Sequence, residues 1–220
     1  MALKFLSFMK RSNIVFYVGI LTVIMFTSCS KKNNPDDIQP KGYEGISPKI
    51  QGLISAELLD KFSGLGLKIN RGGTPPNIEG IFIDNPQTLQ VPFNANDPYP
   101  VGKVDKDYKF KFYDQIDDDV KMSYKDAVSV DKGDGIGSLI SGSGNLFTLY
   151  GKTSGTESGI SYTAVIIVSG EITPQGIKDF QFAAILVDKT GDATNTILQP
   201  KGTGRIWKDG NALASATTIF

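Results

Sequence analysis

The chain predicts a mostly β domain: an antiparallel up-and-down β-barrel of roughly seven or eight strands with one short helix near its start, and a β-sandwich as the alternative. Three observations predict it. From Ile78 onward, apolar and polar residues alternate with period two, the pattern of strands with one buried face. Many of the 24 glycines fall between those runs, where tight turns need them. The connections are short and consecutive, which favours a sheet that closes on itself and so leaves no exposed edge.

The helix comes first. Ser55 is placed to cap it, Glu57 lies in its first turn, and Ile54, Leu58, Leu59 and Phe62 share one side before Gly64 and Gly66 end it. Among the strands, Tyr108, Phe110 and Phe112 face one way and Lys109 and Lys111 the other. Val120, Met122 and Tyr124 alternate likewise with Lys121, Ser123 and Lys125. Residues 145–150, 160–172, 177–188 and 202–207 supply further strands, with Phe180, Phe182, Ala184 and Leu186 on one face of the third of these. The run from Ala164 to Val168 is apolar on both faces, which predicts a strand covered on each side. Hairpin turns are expected at Thr173 to Gly176, with Pro174 second and glycine fourth, at Asp188 to Gly191, and at Asp209-Gly210.

The stretch 66–80, with Gly72, Gly73, Pro75 and Pro76 at its centre, is followed by Pro86, Leu89 and the run from Ile140 to Phe147. This pattern resembles uncharacterised bacterial lipoproteins with a lipocalin-like, calycin-like β-barrel. The resemblance covers most of residues 50–215 and implies a barrel with an interior ligand site. The chain departs from true lipocalins at the first strand, where Glu79, Gly80, Ile81 and Phe82 stand in place of a Gly-x-Trp motif.

The amino-terminal end carries an address. Lys4, Lys10 and Arg11 precede an apolar stretch of about 13 residues, too short to cross a bilayer comfortably, and the small residues Thr27 and Ser28 then lead to Cys29. Phe26 to Cys29 resembles the lipobox of bacterial lipoproteins, which implies acyl chains on Cys29 and cleavage before it. The expected organisation is a signal peptide over 1–28, a flexible tether over 29–42 and a single β-barrel domain over 43–220. The tether is polar and broken by Pro35 and Pro40, with too little apolar surface to offset the entropy of ordering it. Lys31 and Lys32 followed by Asp36 and Asp37 resemble the surface-export signals of some Gram-negative lipoproteins, or form plain solvated linker. The expected location is the cell envelope, anchored by lipid to the outer membrane of a Gram-negative bacterium, with the membrane as a partner through Cys29.

The 23 basic and 23 acidic residues balance, and the leader holds three basic residues and no acid, so the chain after it carries a net charge of −3. Without a cationic surplus to neutralise phosphates, nucleic-acid binding is not expected, although a local basic patch remains open.

The inventory for catalysis is thin. The chain has no histidine and one cysteine, which excludes Ser-His-Asp triads, Cys-His pairs and histidine-based zinc sites. No catalytic residue, metal ligand or cofactor is assigned, and the expectation is a protein that is not an enzyme. Asp114, Asp117, Asp118 and Asp119 cluster between two strands, as do Asp131 and Asp134 further on. Calcium binding or glycoside hydrolysis is the chemistry such carboxylates could serve, and solvated turns are the simpler reading. Gly133, Gly135 and Gly137 lack the Gly-Lys-Ser/Thr of a phosphate loop.

Phe110, Phe112, Met122, Tyr124, Phe147, Phe180, Phe182 and Trp207 are therefore the candidate ligand contacts. They would project from successive strands to line an apolar cavity for a small apolar or amphiphilic molecule, or else fill the core. The competing expectation is a surface interaction module that meets a protein or glycan through loops, residues 83–101 among them.

Overall fold

The computed structural model describes residues 41–128 and 132–220. The leader, Cys29, the tether up to residue 40, and Asp131 lie outside the described residues.

The described chain opens with a 3-10 turn, Lys41–Tyr43, followed by helices α1 (Pro48–Gln51) and α2 (Ala56–Gly64). Each helix starts at a serine whose hydroxyl accepts the backbone N–H three residues on: Ser47 from Ile50 and Ser55 from Leu58. Such caps satisfy amides that the first helical turn leaves without a partner. Helix α2 is the one the periodicity predicts, with Leu59 and Phe62 buried. Helix α1, one turn long, is too short to show a period. Lys41 and Gly42, read as the end of the tether, belong to the 3-10 turn. Gly42 is buried, and a Cβ there would collide with the Ala56 carbonyl.

Eleven strands follow, all antiparallel except a two-residue parallel contact. They are β1 (Gly73–Thr74), β2 (Gly80–Asp84), β3 (Gln87–Val91), β4 (Tyr108–Ile116), β5 (Asp119–Asp126), β6 (Lys132–Ser143), β7 (Leu146–Glu157), β8 (Ile160–Thr173), β9 (Gly176–Thr190), β10 (Thr203–Asp209) and β11 (Leu213–Thr217). From β4 to β9 each strand pairs with the next, and β4 also pairs with β2. One edge of β9 pairs with β10 through residues 181–186 and with β11 through 176–178. On their other side, β10 pairs with β3 and β11 with β2. The pairing therefore runs full circle, a ring in which β2 with β3, and β10 with β11, each fill one position.

Both of these split positions are broken at the same level. The chain turns at the cis Asn85–Pro86 peptide in one and at Gly210 in the other. A Cβ on Gly210 would lie 2.8 Å from both Pro86 Cγ and Thr88 Oγ1, so only glycine lets the two breaks approach. This corrects the expected hairpin at Asp209-Gly210: β10 and β11 do not pair with each other but continue in one direction along β9. The expected turn at Asp188 to Gly191 is also displaced, since β9 runs on to Thr190 and the connection spans residues 191–202. The turn at Thr173 to Gly176 stands as expected, with Thr173 paired to Gly176. Residues 83–101, read as a loop, contain the end of β2 and all of β3. Glycine-rich β6, with Gly133, Gly137 and Gly142 in its length, was hidden because glycine leaves no alternation to read.

Two apolar clusters lie on opposite sides of this sheet. The interior holds Phe82, Phe110, Phe112, Met122, Phe147, Phe180 and their neighbours. The outer cluster sits where Ile50, Ile54, Leu59 and Phe62 cover Tyr150, Val165, Ile167, Ala183, Ile185 and Ile206. Ile166 and Val168 belong to the first cluster and Val165 and Ile167 to the second, so the run that is apolar on both faces is covered on both sides, as its composition predicts. Polar groups fasten the covering segment: Asn70 donates to the Phe147 carbonyl, and Gln181 accepts from the Lys68 amide and donates to the Gly66 carbonyl.

Candidate ligand cavity

All eight candidate contact residues gather in or against the interior cluster, but they do not share one role. Phe110, Phe112, Met122, Phe147 and Phe180 are almost wholly buried and fill the ring. The Phe110 ring packs at a tilt against Phe180 and Phe182, with centroids 5.0 and 5.2 Å away. Tyr124, Phe182 and Trp207 instead border a cavity of about 330 Å³. The ring is thus packed through part of its length and hollow at one end.

The hollow exists because side chains shrink or become polar there. Ala164 and Ala184 leave space that Tyr99, Tyr108, Tyr124 and Tyr162 border, together with Gln87, Gln199 and Arg205. A neighbouring hollow of about 450 Å³ shares Tyr162, Ala164, Ala184, Gln199 and Arg205 with it and extends under residues 195–198. Arg205 and Tyr108 could have been read from the sequence: they stand two residues before Trp207 and Phe110, in the same inward alternation.

Arg205 is built into this mouth. Its Nε and Nη2 donate to the two oxygens of Asp97 at 2.8 and 2.9 Å, a bidentate pair of the kind that guanidinium geometry favours. The guanidinium carbon lies 4.7 Å from the Tyr99 ring centroid and 5.0 Å from that of Phe93. Asp97 also accepts the backbone amides of Phe93 and Tyr99. Burial pushes its carboxyl upward, but the bonds from Arg205 and those two amides outweigh it and hold the group below the ordinary carboxylate range. One ion pair thereby anchors the segment after β3 over the open end.

A second device holds the loop between β9 and β10. Lys189, itself buried, donates to Asp192, Asn195 and the Leu198 carbonyl. Asp192 accepts from Lys189 and from the amides of Leu198, Thr196 and Ile197, and these bonds drive its carboxyl far below the usual range.

Beneath the mouth, Asp84 is fully buried where β2 breaks. Its Oδ2 accepts from Gln87, and Oδ1 has no hydrogen-bond partner. Burial first, and then the neighbouring Asp209 and Asp107, push its carboxyl up to about 8. Asp209 accepts the amides of Asn85, Asn211 and Leu213, so it orders both chain breaks.

The other carboxylates serve as structure. Lys49 of α1 bridges Asp118 and Asp119 at 2.9 and 3.0 Å, and its ammonium is held well above its usual range by those bonds. Asp114 pairs with Lys121 at 2.9 Å, and Asp134 accepts from the Ser123 hydroxyl. Among the described residues, no group of three His, Cys, Asp or Glu side chains is arranged to hold a metal, and no helix is long and apolar enough to cross a membrane. Comparison of the chain with protein-family models, curated proteins and solved structures finds no match.

Proposed function

We propose that this chain is a non-enzymatic lipoprotein of the cell envelope, anchored through acyl chains on Cys29, whose ring is a lipocalin-like up-and-down β-barrel that takes a compact amphiphilic molecule into its open end. The single observation that carries the reading is the uneven interior, packed by phenylalanines at one end and hollow at the other. The packed half sets the size of the ligand. A long chain has no room below Phe110 and Phe180, so the guest is short, with its apolar side against Trp207, Phe182 and Ile166 and its polar side toward Arg205, Gln87 and Gln199. The export-type leader and the lone Cys29 behind it support the anchor, and placement in the outer membrane of a Gram-negative bacterium follows from the resemblance to lipoboxes and surface-export signals.

The test is organic extraction of the full chain purified in nanodiscs, followed by mass spectrometry, beside the Ala184→Leu variant, which fills the cavity. The expected result is a compact molecule enriched with the unaltered chain and lost from the variant. Identical extracts would remove the ligand reading. Mass spectrometry of the peptide that begins at Cys29 tests the anchor independently, through the added mass of its acyl chains.

A further inference from the structure

The outer face of β4, β5 and β6 carries a charge arrangement that folding does not explain. The register sets Lys109 opposite Lys125, and Lys125 opposite Lys132, so three lysines form a row across three strands. Lys111 lies two residues from Lys109 on the same face, since Phe110 and Phe112 turn inward. Opposed side chains on adjacent strands stand about 5 Å apart at Cβ, and like charges placed so destabilise a sheet.

Elsewhere in the domain lysines are of two kinds. Lys41, Lys61, Lys152 and Lys208 stand singly without a carboxylate pair among the described residues, and the other eight, Lys49, Lys68, Lys103, Lys106, Lys121, Lys178, Lys189 and Lys201, are each paired with a carboxylate. Among the described residues none of the four lysines of this face has such a pair. The contrast is sharper because the domain is acidic as a whole: of the 23 basic and 23 acidic residues, the first 40 positions hold five basic and two acidic. Carboxylates are in surplus, yet the one the structure places beside these lysines, Asp134, accepts from the Ser123 hydroxyl opposite Lys111 and forms no ion pair with any of the four among the described residues.

Apolar groups stand there instead. Phe220 lies under Lys125 at 4.7 Å and Lys111 at 6.0 Å, and Tyr113 lies under Lys111 at 4.9 Å. The next residue, Ile219, is 68% exposed. The helical segment packs on the arc of β7 to β10 and touches this one at its far end, through Leu139 of β6 and through Lys49, which pairs with Asp118 and Asp119 at the β4–β5 turn.

We propose that the lysine face docks on an anionic phospholipid surface. Ammonium groups are point charges without the directional fork of arginine, and a planar array of them suits a field of headgroup phosphates. The exposed Ile219 and the aromatic rings beside the lysines supply the apolar contact that an interfacial surface makes at the boundary of headgroup and acyl chain. Phosphates of a polyanion would satisfy the charges but give Ile219 nothing to bury in. The face is a second membrane signal, independent of the cavity and additional to the proposed acyl anchor.

Acetylation footprinting of the full chain in nanodiscs tests this, with phosphatidylcholine alone or with a third of the lipid replaced by phosphatidylglycerol. Lys109, Lys111, Lys125 and Lys132 are expected to react several-fold more slowly on the anionic discs, with Lys152 and Lys208 unchanged, and about 0.5 M salt should abolish the difference. Replacing Lys109 or Lys125 by Gln should weaken protection of the remaining three about fivefold per lysine removed without lowering the melting temperature. Equal reaction on both discs would overturn the proposal. So would protection by heparin in solution with none from phosphatidylglycerol, which would assign the face to a polyanion.

Discussion

The two ends of the ring are made by the same strands and the same alternation, yet one is solid and the other hollow. Stepping by two residues along β4 replaces Phe110 with Tyr108. Along β8 the step replaces Ile166 with Ala164, along β9 Phe182 with Ala184, and along β10 Trp207 with Arg205. The backbone does not change; the volume and polarity of the inward side chain do. The difference teaches that period two specifies the ring, whereas the size gradient along each strand specifies where the ring can hold something.

The largest test of this contrast is at the solid end. Phe110 is fully buried and meets four aromatic rings. Phe110→Ala is expected to cost about 3–5 kcal/mol in urea unfolding, since the removed ring leaves both lost transfer energy and a cavity. A loss below about 1 kcal/mol would mean that this end collapses freely and is not close-packed.

Insertion sharpens the comparison from the other side. Ala214, fully buried among Ile177 and Phe180 in the interior cluster, has no room for three more carbons, so Ala214→Leu should cost about 1–3 kcal/mol. The same change at Ala184, which borders the hollow, should leave stability within about 1 kcal/mol of the unaltered chain. Equal costs at both positions would show that the two ends are packed alike.

The sequence shows β4, β5, β7 to β10 and α2 clearly, because residues such as Phe110, Met122 and Phe182 alternate with polar neighbours and Ser55 announces a cap, whereas β3 reads as loop and glycine-rich β6 does not show. It shows the site only partly. Tyr124, Phe182 and Trp207 were legible as inward aromatics, but nothing local separates them from Phe112 or Phe147. That distinction arises from whether Ala164 and Ala184 stand across the ring, and pairing across a closed sheet is not written in any one strand. The Asp97–Arg205 pair joins residues 108 positions apart, beyond the reach of any periodicity. The split strands were misread for a similar reason: Asp-Gly is a hairpin signal in isolation, and only the partner break at Pro86 turns it into a bend.

The seam between the two ends carries a strongly displaced carboxyl within the ordinary pH range. Asp84, pushed up to about 8 in the folded chain against 3.8 for an ordinary aspartate, holds a proton that the unfolded chain has already released between those values. Its contribution therefore falls as pH rises from about 4 to 8. Asp97 and Asp188, whose carboxyls are lowered, have the opposite sign: their contribution is lost as pH falls below about 4. Asp84→Asn mimics the protonated form, so its melting temperature should stay level from pH 5 to about 8 where that of the unaltered chain declines by a few degrees, equivalent to about 1 kcal/mol or more. Parallel profiles for the two proteins would mean that Asp84 is ionised in the folded state.

The smallest effect asks whether the open end is held open or merely covered. Asp97 receives four hydrogen bonds, two from Arg205 and one each from the amides of Phe93 and Tyr99, and an asparagine cannot replace them all because its nitrogen accepts nothing. Bonds to a charged group contribute about 1.5–3 kcal/mol each when intact. Asp97→Asn should thus speed hydrogen exchange at the Phe93 and Tyr99 amides by tenfold or more, while the amides of Phe110 and Ile167 keep their protection, since local opening of a surface segment need not involve the core. If exchange instead rises equally across the sheet, the ion pair supports the whole ring rather than the mouth. If it rises nowhere, the segment after β3 is held by the Phe93 and Tyr99 rings, and the charge contributes nothing to closing the end.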